Sequence, residues 1–278
     1  MTGLPTKPPY SYLVVATDGS PLSLSALAGG SLLASQSQAE LCVFHAATSL
    51  DVEQCVLNQA AQVLENRPHK MVVRDLEPDS TPAKMIAEFV RELGDETIVA
   101  VGTHGRGGIG LSLLGSTAVD LLARASQPTI AYGPEAGAPI PIARVVACVD
   151  GSAFSEISVS EAARWAHTLA IPLWIIQVVP PYRPAYAGVF ETAYVHNLAK
   201  DLVGLETKVE WDVLHSTSPA QSILEMFGND AATMLVMATH GRTGFERLRL
   251  GSVATEVVRG AWGPVVLIRP NGELSPVS

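Results

Sequence analysis

Cysteine, charge and long apolar runs are all scarce in this chain. Its three cysteines, Cys42, Cys55 and Cys148, show no CxxC spacing, so we interpret them as small hydrophobic residues in a reducing compartment rather than as a disulfide framework. No apolar run approaches the ~20 residues of a membrane span. The N-terminus has no apolar core of signal-peptide length. We therefore expect a cytoplasmic protein without a membrane partner.

Basic residues are also few, and this bears on the ligand. Lysine and arginine number 18 against 27 aspartates and glutamates, for a formal net charge of -9. A nucleic-acid partner is not expected, because such binders carry a basic face. A nucleotide ligand remains compatible with this acidity, since backbone N–H groups hold phosphates without net positive charge. The 47% hydrophobic and 16% charged content indicates a globular protein.

The common enzyme and nucleotide signatures are missing. No GxxxxGK[ST], HExxH or GxSxG occurs, and the first predicted strand is not followed by GxGxxG. These absences argue against a P-loop NTPase, a zinc protease, an α/β-hydrolase and a dinucleotide site. No cluster of metal-ligand residues is evident either.

An internal repeat is the most informative positive feature. YLVVATDGSPLSLSAL in the first half corresponds to RVVACVDGSAFSEISVS in the second, so that Asp18 matches Asp150, 132 residues later. His104 likewise matches His240, 136 residues later. The stretch 133–139 between the copies is rich in Pro and Gly, as linkers are. We predict one domain over residues 1–135 and a second over 140–278.

Each half alternates short apolar runs with helical segments. Such alternation predicts α/β domains, each a doubly wound, five-stranded parallel sheet of order 3-2-1-4-5 with helices on both faces. Gly29 and Gly30 weaken the first predicted helix, from Pro21 to about Ser37. The predicted strands of the first half lie near Tyr12–Ala16, Leu41–Ala46, Met71–Leu76, Thr97–Val101 and Thr129–Tyr132. Those of the second lie near Val145–Val149, Leu173–Val178, Lys208–Val213, Met234–Ala238 and Val265–Ile268.

The predicted order places a crevice between the C-terminal ends of strands 1 and 4. Those ends carry Asp18 and Gly102 in the first half. Gly102, Gly105 and Gly115-Ser116 follow the spacing G-x2-G-x9-G-S. Glycines let the backbone approach a phosphate and adopt positive φ, and free N–H groups at the start of the next helix attract anions. Asp18 suits ribose hydroxyls or a magnesium ion, or it caps the following helix or its turn.

This motif, the aspartate at the first strand end and the order of elements resemble the universal stress protein family, across nearly all of both halves. The resemblance implies ATP as ligand, possible magnesium near Asp18 and Asp150, and no catalytic residue. It implies the following binding positions in the first half: Ala16, Thr17, Asp18, Ala46, Val101, Gly102, Gly105, Arg106, Gly115, Ser116 and Thr117. In the second half they are Cys148, Val149, Asp150, Val178, Met237, Ala238, Gly241, Arg242, Gly251, Ser252 and Val253.

The second half departs from the motif. Ala238 replaces the first glycine, while Gly241, Gly251 and Ser252 are kept. His104 and His240, in the glycine-rich loops, have no carboxylate or nucleophile paired with them by sequence, so we interpret them as structural. Arg106 and Arg242 contact phosphates or are simply solvated.

Three functions are compatible with these patterns. The first is an ATP-binding stress or signalling protein rather than an enzyme. The second is a slow ATPase or a nucleotidyl or phosphoryl transferase, which would need a base and a metal clamp. The third is a nucleotide-free association module. The fifth strand is the edge of each half, and bare edges invite pairing. We therefore expect the two halves to pair, with a homodimer as a further form.

Overall fold

A computed structural model of the protein describes residues 10–47, 49–103, 115–181, 187–202, 204–239 and 250–269. These residues form two copies of one α/β arrangement. The first copy contains β1 (Tyr12–Ala16), α1 (Pro21–Ser37), β2 (Glu40–Ala47), α2 (Leu50–Leu64), β3 (Lys70–Asp75), α3 (Pro82–Leu93), β4 (Thr97–Gly102), α4 (Ser116–Arg124) and β5 (Thr129–Tyr132).

The second copy repeats this order with one irregular helix. It contains β6 (Arg144–Val149), α5 (Ala153–Leu169), β7 (Leu173–Val179), α6 (Ala187–Lys200), β8 (Val209–His215), α7 (Pro219–Ile223), a π-helical turn (Leu224–Gly228), β9 (Thr233–Ala238), α8 (Ser252–Gly260) and β10 (Val265–Ile268). Leu224, in the π-helical turn, packs against α8, because a β-carbon on Gly260 would lie 2.5 Å from the Leu224 side chain.

Helix α1 shows why these residues form a helix despite two glycines. Ser20 caps it by accepting a hydrogen bond from the Ser23 amide, and Pro21 occupies the first turn, which are strong helix-start signals. A β-carbon on Gly29 would lie 2.6 Å from the Tyr132 ring, and one on Gly30 would lie 2.6 Å from Val15. The glycines therefore let α1 pack directly on the sheet, and this burial offsets their low helix propensity.

All described strands belong to one sheet of order β3-β2-β1-β4-β5-β10-β9-β6-β7-β8. Within each half the strands are parallel and follow the predicted order 3-2-1-4-5. The predicted fold class is therefore confirmed. Strands β5 and β10 meet antiparallel, with Ile130 opposite Val266. In the part of the chain that the structure describes, no helix is long and apolar enough to cross a membrane.

The sheet divides the core into two sides. On one side, a single cluster runs through both halves beneath α1, α2, α5 and α6, and it includes Leu13, Leu27, Trp165 and Ile175. On the other side, each half has its own cluster: α3 and α4 cover the first and α7 and α8 the second. The shared cluster means that the two halves bury apolar surface against each other as well as pairing strands.

Polar contacts also cross this junction. The Tyr10 hydroxyl donates to Glu161 Oε1 at 2.7 Å, and Arg164 Nη1 lies 3.4 Å from the other carboxylate oxygen. The Gln36 side chain exchanges two hydrogen bonds with the backbone of Ile142, at 2.9 and 3.2 Å. Residue 10 lies two positions before the start of β1, so the second half holds the segment that leads into the first strand.

The linker between the halves is packed rather than loose. A β-carbon on Gly133 would lie 1.8 Å from the carbonyl oxygen of Val258, so glycine is needed there for close contact with α8. Gly137 then donates its amide to the carbonyl of Trp262 at 2.9 Å. The glycines of this stretch, predicted as marks of a linker, also hold the two halves in contact.

We predict that Tyr10→Phe lowers the free energy of unfolding by about 1–3 kcal/mol, because a buried carboxylate loses its hydrogen-bond donor. Urea denaturation at neutral pH measures this change. Tyr12→Phe is the matched control, since that half-buried tyrosine is the first residue of the same strand and has no described side-chain hydrogen bond. An equal loss in both variants would show that the hydroxyl at position 10 contributes nothing specific.

A pH dependence follows from Glu161. Burial raises its pKa above the ordinary 4.5, against the lowering effects of Tyr10 and Arg164. The folded state therefore holds this proton at higher pH than the unfolded state. The stability from that difference is fully present below about pH 4.5 and is lost as pH rises through the folded pKa. We expect the unfolding free energy of wild type, minus that of Glu161→Gln, to decrease as the pH rises from 4.5 towards neutral. A difference that rises with pH would contradict this assignment.

Candidate functional site

The C-terminal ends of β1 and β4 bring the predicted motifs to one edge of the sheet. Ala16 pairs with Val101 in the parallel register, so Asp18 and Thr103 leave their strands side by side. In the second half, Cys148 pairs with Met237, and Asp150 leaves its strand in the same way. This is the switch point at which doubly wound sheets open a crevice.

The turn after β1 uses Asp18 as a local cap. The Ser20 amide donates to Asp18 Oδ1 at 2.9 Å, while the Ser20 hydroxyl accepts from the Ser23 amide at 3.3 Å. Gly19 between them has φ of 75°, in the left-handed region that favours glycine. Of the two capping roles considered for Asp18, capping of the turn is therefore observed, while Ser20 caps the helix. The half-buried Asp18 carboxylate lies at the edge of the sheet.

The second half builds the same turn. The Ser152 amide donates to Asp150 Oδ1 at 2.9 Å, Ser152 caps α5, and Gly151 has φ of 85°. Sequence reasoning named the aspartates but missed that Gly19 and Gly151 must adopt positive φ in these turns. The Asp-Gly dipeptide, a frequent turn signal, was the available clue.

The connection from β4 to α4 is closed by backbone hydrogen bonds at its base. Thr103 donates its amide to the Tyr132 carbonyl at 3.0 Å, and the Gly115 amide donates back to the Thr103 carbonyl. In the second half, the Gly251 amide donates to the Thr239 carbonyl at 2.8 Å. Each bond places the start of a helix beside the end of a central strand.

Helices α4 and α8 begin without a side-chain cap. Their N-cap residues are Gly115 and Gly251, and neither provides a capping side chain. Ser116 and Ser252, the first helical residues, are exposed. At this edge, α1 and α5 use a serine hydroxyl as a cap, whereas no side chain among the described residues caps α4 or α8. The first N–H groups of a helix carry its positive dipole end.

Among the motif glycines that the structure describes, Gly102, Gly115 and Gly251, none uses a left-handed backbone, and Gly102 serves by its small size. Glycine permits positive φ, but these three glycines do not adopt it: Gly115 and Gly251 have φ of -54° and -57°, and Gly102 has no positive φ. A β-carbon on Gly102 would lie 2.9 Å from the Leu22 backbone. Gly102 therefore lets the first turn of α1 approach β4, and Ala238 does not permit an equally close approach.

Three predicted apolar positions share one face in each half. Ala16, Ala46 and Val101 pack against the core under α3 and α4. Their counterparts in the second half are Cys148, Val178 and Met237, packed against the core under α7 and α8. Each substitution enlarges the side chain, so less space remains at this edge of the second half. Burial raises the pKa of the Cys148 thiol to about 12, which keeps it protonated and unreactive.

The remaining predicted residues have simple placements. Thr17 and Val149 are buried and lie at the C-terminal ends of β1 and β6. Thr117 is exposed in the first turn of α4, and Val253 is half-buried in the first turn of α8. Gly105, Arg106, Gly241, Arg242, His104 and His240 lie outside the described residues. Among the residues that are described, no three His, Cys, Asp or Glu side chains form a group able to hold a metal ion.

One contact at the edge was not anticipated. His45, on β2, is buried, and its Nδ1 lies 2.9 Å from the Thr17 carbonyl oxygen. It therefore contacts the turn that carries Asp18. The only sequence signal for it was a polar residue within a predicted buried strand, one position before Ala46.

The strand order defines a class: duplicated doubly wound α/β proteins with a topological switch point in each half. Comparison with known proteins then identifies the family. The model of the universal stress protein family matches residues 9–132 and again residues 141–269. The chain therefore belongs to the universal stress protein family, as a member with two domains in tandem.

Individual relatives agree with this assignment. A universal stress protein of Mycolicibacterium smegmatis is 33% identical over 184 residues, covering 62% of this chain and 62% of that protein. One from Mycobacterium tuberculosis is 29% identical over 202 residues, covering 68% and 66%. The matches thus span less than two thirds of these relatives. The crystal structure of a universal stress protein from Archaeoglobus fulgidus shares the fold, with a TM-score of 0.71, 19% identity, and coverage of 94% of this chain and 99% of that one.

We predict that Gly102→Ala destabilises the protein by about 1–3 kcal/mol, because the new β-carbon meets helix backbone that must move away. Thermal or urea denaturation measures the loss. Gly137→Ala is the control, since its β-carbon would make only an ordinary contact, 3.4 Å from Ala231. If Gly102→Ala were as stable as wild type, the close approach of α1 to β4 would not require glycine.

Proposed function

We propose that this protein is an ATP-binding universal stress protein of the cytoplasm, which acts in stress signalling through its bound nucleotide rather than by catalysis. The observation that carries the proposal is the uncapped start of α4, held by the Gly115–Thr103 backbone bond beside the strand end that carries Asp18. N–H donors suited to phosphate oxygens and a carboxylate suited to ribose hydroxyls would then lie together at the same edge of the sheet.

The described residues fit a triphosphate nucleotide in three respects. The N–H groups and dipole of α4 suit phosphate oxygens, and the exposed Ser116 and Thr117 hydroxyls add donors. The Asp18 carboxylate suits ribose hydroxyls. The small side chains Ala16 and Ala46 leave room for a base. ATP itself, rather than another adenine nucleotide, is inferred from the family resemblance.

Magnesium would accompany the nucleotide. Mg²⁺ usually keeps several waters and binds through one or two carboxylates together with substrate phosphates. Asp18 in the first half and Asp150 in the second are the carboxylates in place for that role. The ion would neutralise phosphate charge in a protein whose net charge is -9.

A signalling role is supported by the position of α4 at the junction of the halves. Val119 and Leu122 of α4 pack against the core cluster of the second half, and Arg269 donates to the Ala123 carbonyl near the end of the same helix. A nucleotide that binds one arrangement of α4 more tightly would shift the arrangement of the two halves. Partner choice would follow from that shift.

We further propose that domains 1–135 and 140–278 remain paired in solution. The antiparallel contact of β5 and β10, the shared core and the Tyr10–Glu161 hydrogen bond all support this pairing. Self-association into a homodimer stays a prediction, which sedimentation of the purified chain tests directly.

The first test is chromatographic. Purified protein is denatured, and the released small molecules are separated by anion exchange before and after soaking with ATP and magnesium. We expect ATP to be released. ADP in excess would favour a slow ATPase instead. The absence of any nucleotide, even after soaking, would favour the association module and contradict this proposal.

The second test removes one site. We predict that Gly115→Val abolishes ATP retention by the first half, because valine crowds the amides at the start of α4. Isothermal titration of the full chain measures the number of sites and their affinities. Gly251→Val in the second half is the matched control and should spare the first site. Undiminished affinity at the first site of Gly115→Val, in a variant that melts like wild type, would show that the phosphates are placed wrongly.

A further inference from the structure

The two halves differ in the contacts that support the turn carrying Asp18 in the first half and Asp150 in the second. In the first half, Thr17 Oγ1 accepts from the Gly19 amide at 3.2 Å and lies 3.0 Å from Ser23 Oγ. The second half has Val149 at the position of Thr17. Valine has no hydroxyl, so neither contact can form there.

A buried imidazole adds a further support in the first half only. His45 is 3% exposed, and its Nδ1 lies 2.9 Å from the Thr17 carbonyl oxygen. A carbonyl only accepts hydrogen bonds, so Nδ1 carries the proton and donates. The other ring nitrogen, Nε2, has no partner in the described part of the chain. The bond to the turn is thus what compensates for burying the ring.

The counterpart of His45 does not do this. Gln177 follows it by 132 residues in the sequence, is also 3% exposed, and makes no described hydrogen bond to the turn at Val149. Its Oε1 has no partner among the described residues. The same buried place on the sheet therefore holds a polar side chain in both halves, but only the histidine is joined to the turn.

The two turns differ accordingly. Gly19 is buried, whereas Gly151 is exposed. In the second half the Ser152 hydroxyl also donates to Asp150 Oδ1, at 2.6 Å, beside the 2.9 Å bond from the Ser152 amide. A short hydrogen bond to a carboxylate is a strong one. A ribose hydroxyl or a magnesium ion would have to compete with it at Asp150.

We propose that Thr17 and His45 are positioning residues that hold the Asp18 turn in its binding geometry, and that they make the first half the tighter nucleotide site. The second half, with Val149 and Gln177, is the weaker site. This inference rests on the proposed function, and it adds which half binds more strongly and which residues decide it. A turn that is already ordered loses less conformational freedom when the ligand binds.

The difference is tested by exchanging the two pairs. Titration with ATP and magnesium is done on the full chain, with Gly251→Val isolating the first site and Gly115→Val isolating the second. We expect the first site to bind about 10-fold more tightly than the second, the fold-change that about 1.4 kcal/mol of ordering produces. Thr17→Val with His45→Gln should weaken the first site by a similar factor.

The reverse exchange is the decisive variant. Val149→Thr with Gln177→His should tighten the second site, and a loss of folding cannot produce such a gain. If both sites bind equally and neither exchange changes an affinity, the inference is wrong while the proposed function stands. If wild type binds no ATP at either site, the proposed function fails and this inference with it.

A second measurement needs no nucleotide. Amide hydrogen exchange of the free protein should show Gly19 protected more strongly than Gly151, because the Gly19 amide donates to Thr17 Oγ1. Thr17→Val should remove that excess protection. Equal protection of the two glycines in wild type would show that the turns are equally ordered, which overturns the positioning role.

Discussion

The backbone bond from Gly115 to the Thr103 carbonyl is the contact on which the candidate site depends. It joins the start of α4 to the residue that follows β4, so that the connection between them begins and ends at one point. Because β4 lies beside β1 in parallel register, the same bond brings the positive end of α4 to the strand that carries Asp18. The equivalent bond at Gly251 and Thr239 builds the same arrangement in the second half.

Duplication gives each half an unpaired strand edge, and the structure pairs these edges with each other. Strands β5 and β10 join the halves into one sheet, which satisfies backbone groups that would otherwise face solvent. The helices on one side then share a single core. Close contacts at Gly133 and α8 follow from this pairing. The helix proposed to hold phosphate, α4, lies at the same junction and packs on the core of the second half.

The two halves keep a common backbone while their sites differ in chemistry. Both form the Asp-Gly-Ser turn, both cap the first helix with serine, and both leave the later helix uncapped. The differences lie in the buried residues that support this turn: Thr17 and His45 in the first half correspond to Val149 and Gln177 in the second. Small side chains at the edge of the first half are also replaced by larger ones in the second. A repeated fold thus carries two candidate sites with different side chains around them.

The sequence by itself determined the class of fold, the strand order and the repeat, and it predicted the candidate binding positions, because each of these follows from local sequence patterns. Alternating apolar runs specify parallel strands between helices, and Asp18 and Gly115 are recognisable from their spacing. The reasons for individual glycines were decided only by tertiary structure. Gly102, Gly29 and Gly133 are small because helices or backbone from distant segments approach them, and no local pattern records such an approach. The bond from His45 to Thr17 joins residues on neighbouring strands for the same reason, since only the folded sheet brings them together.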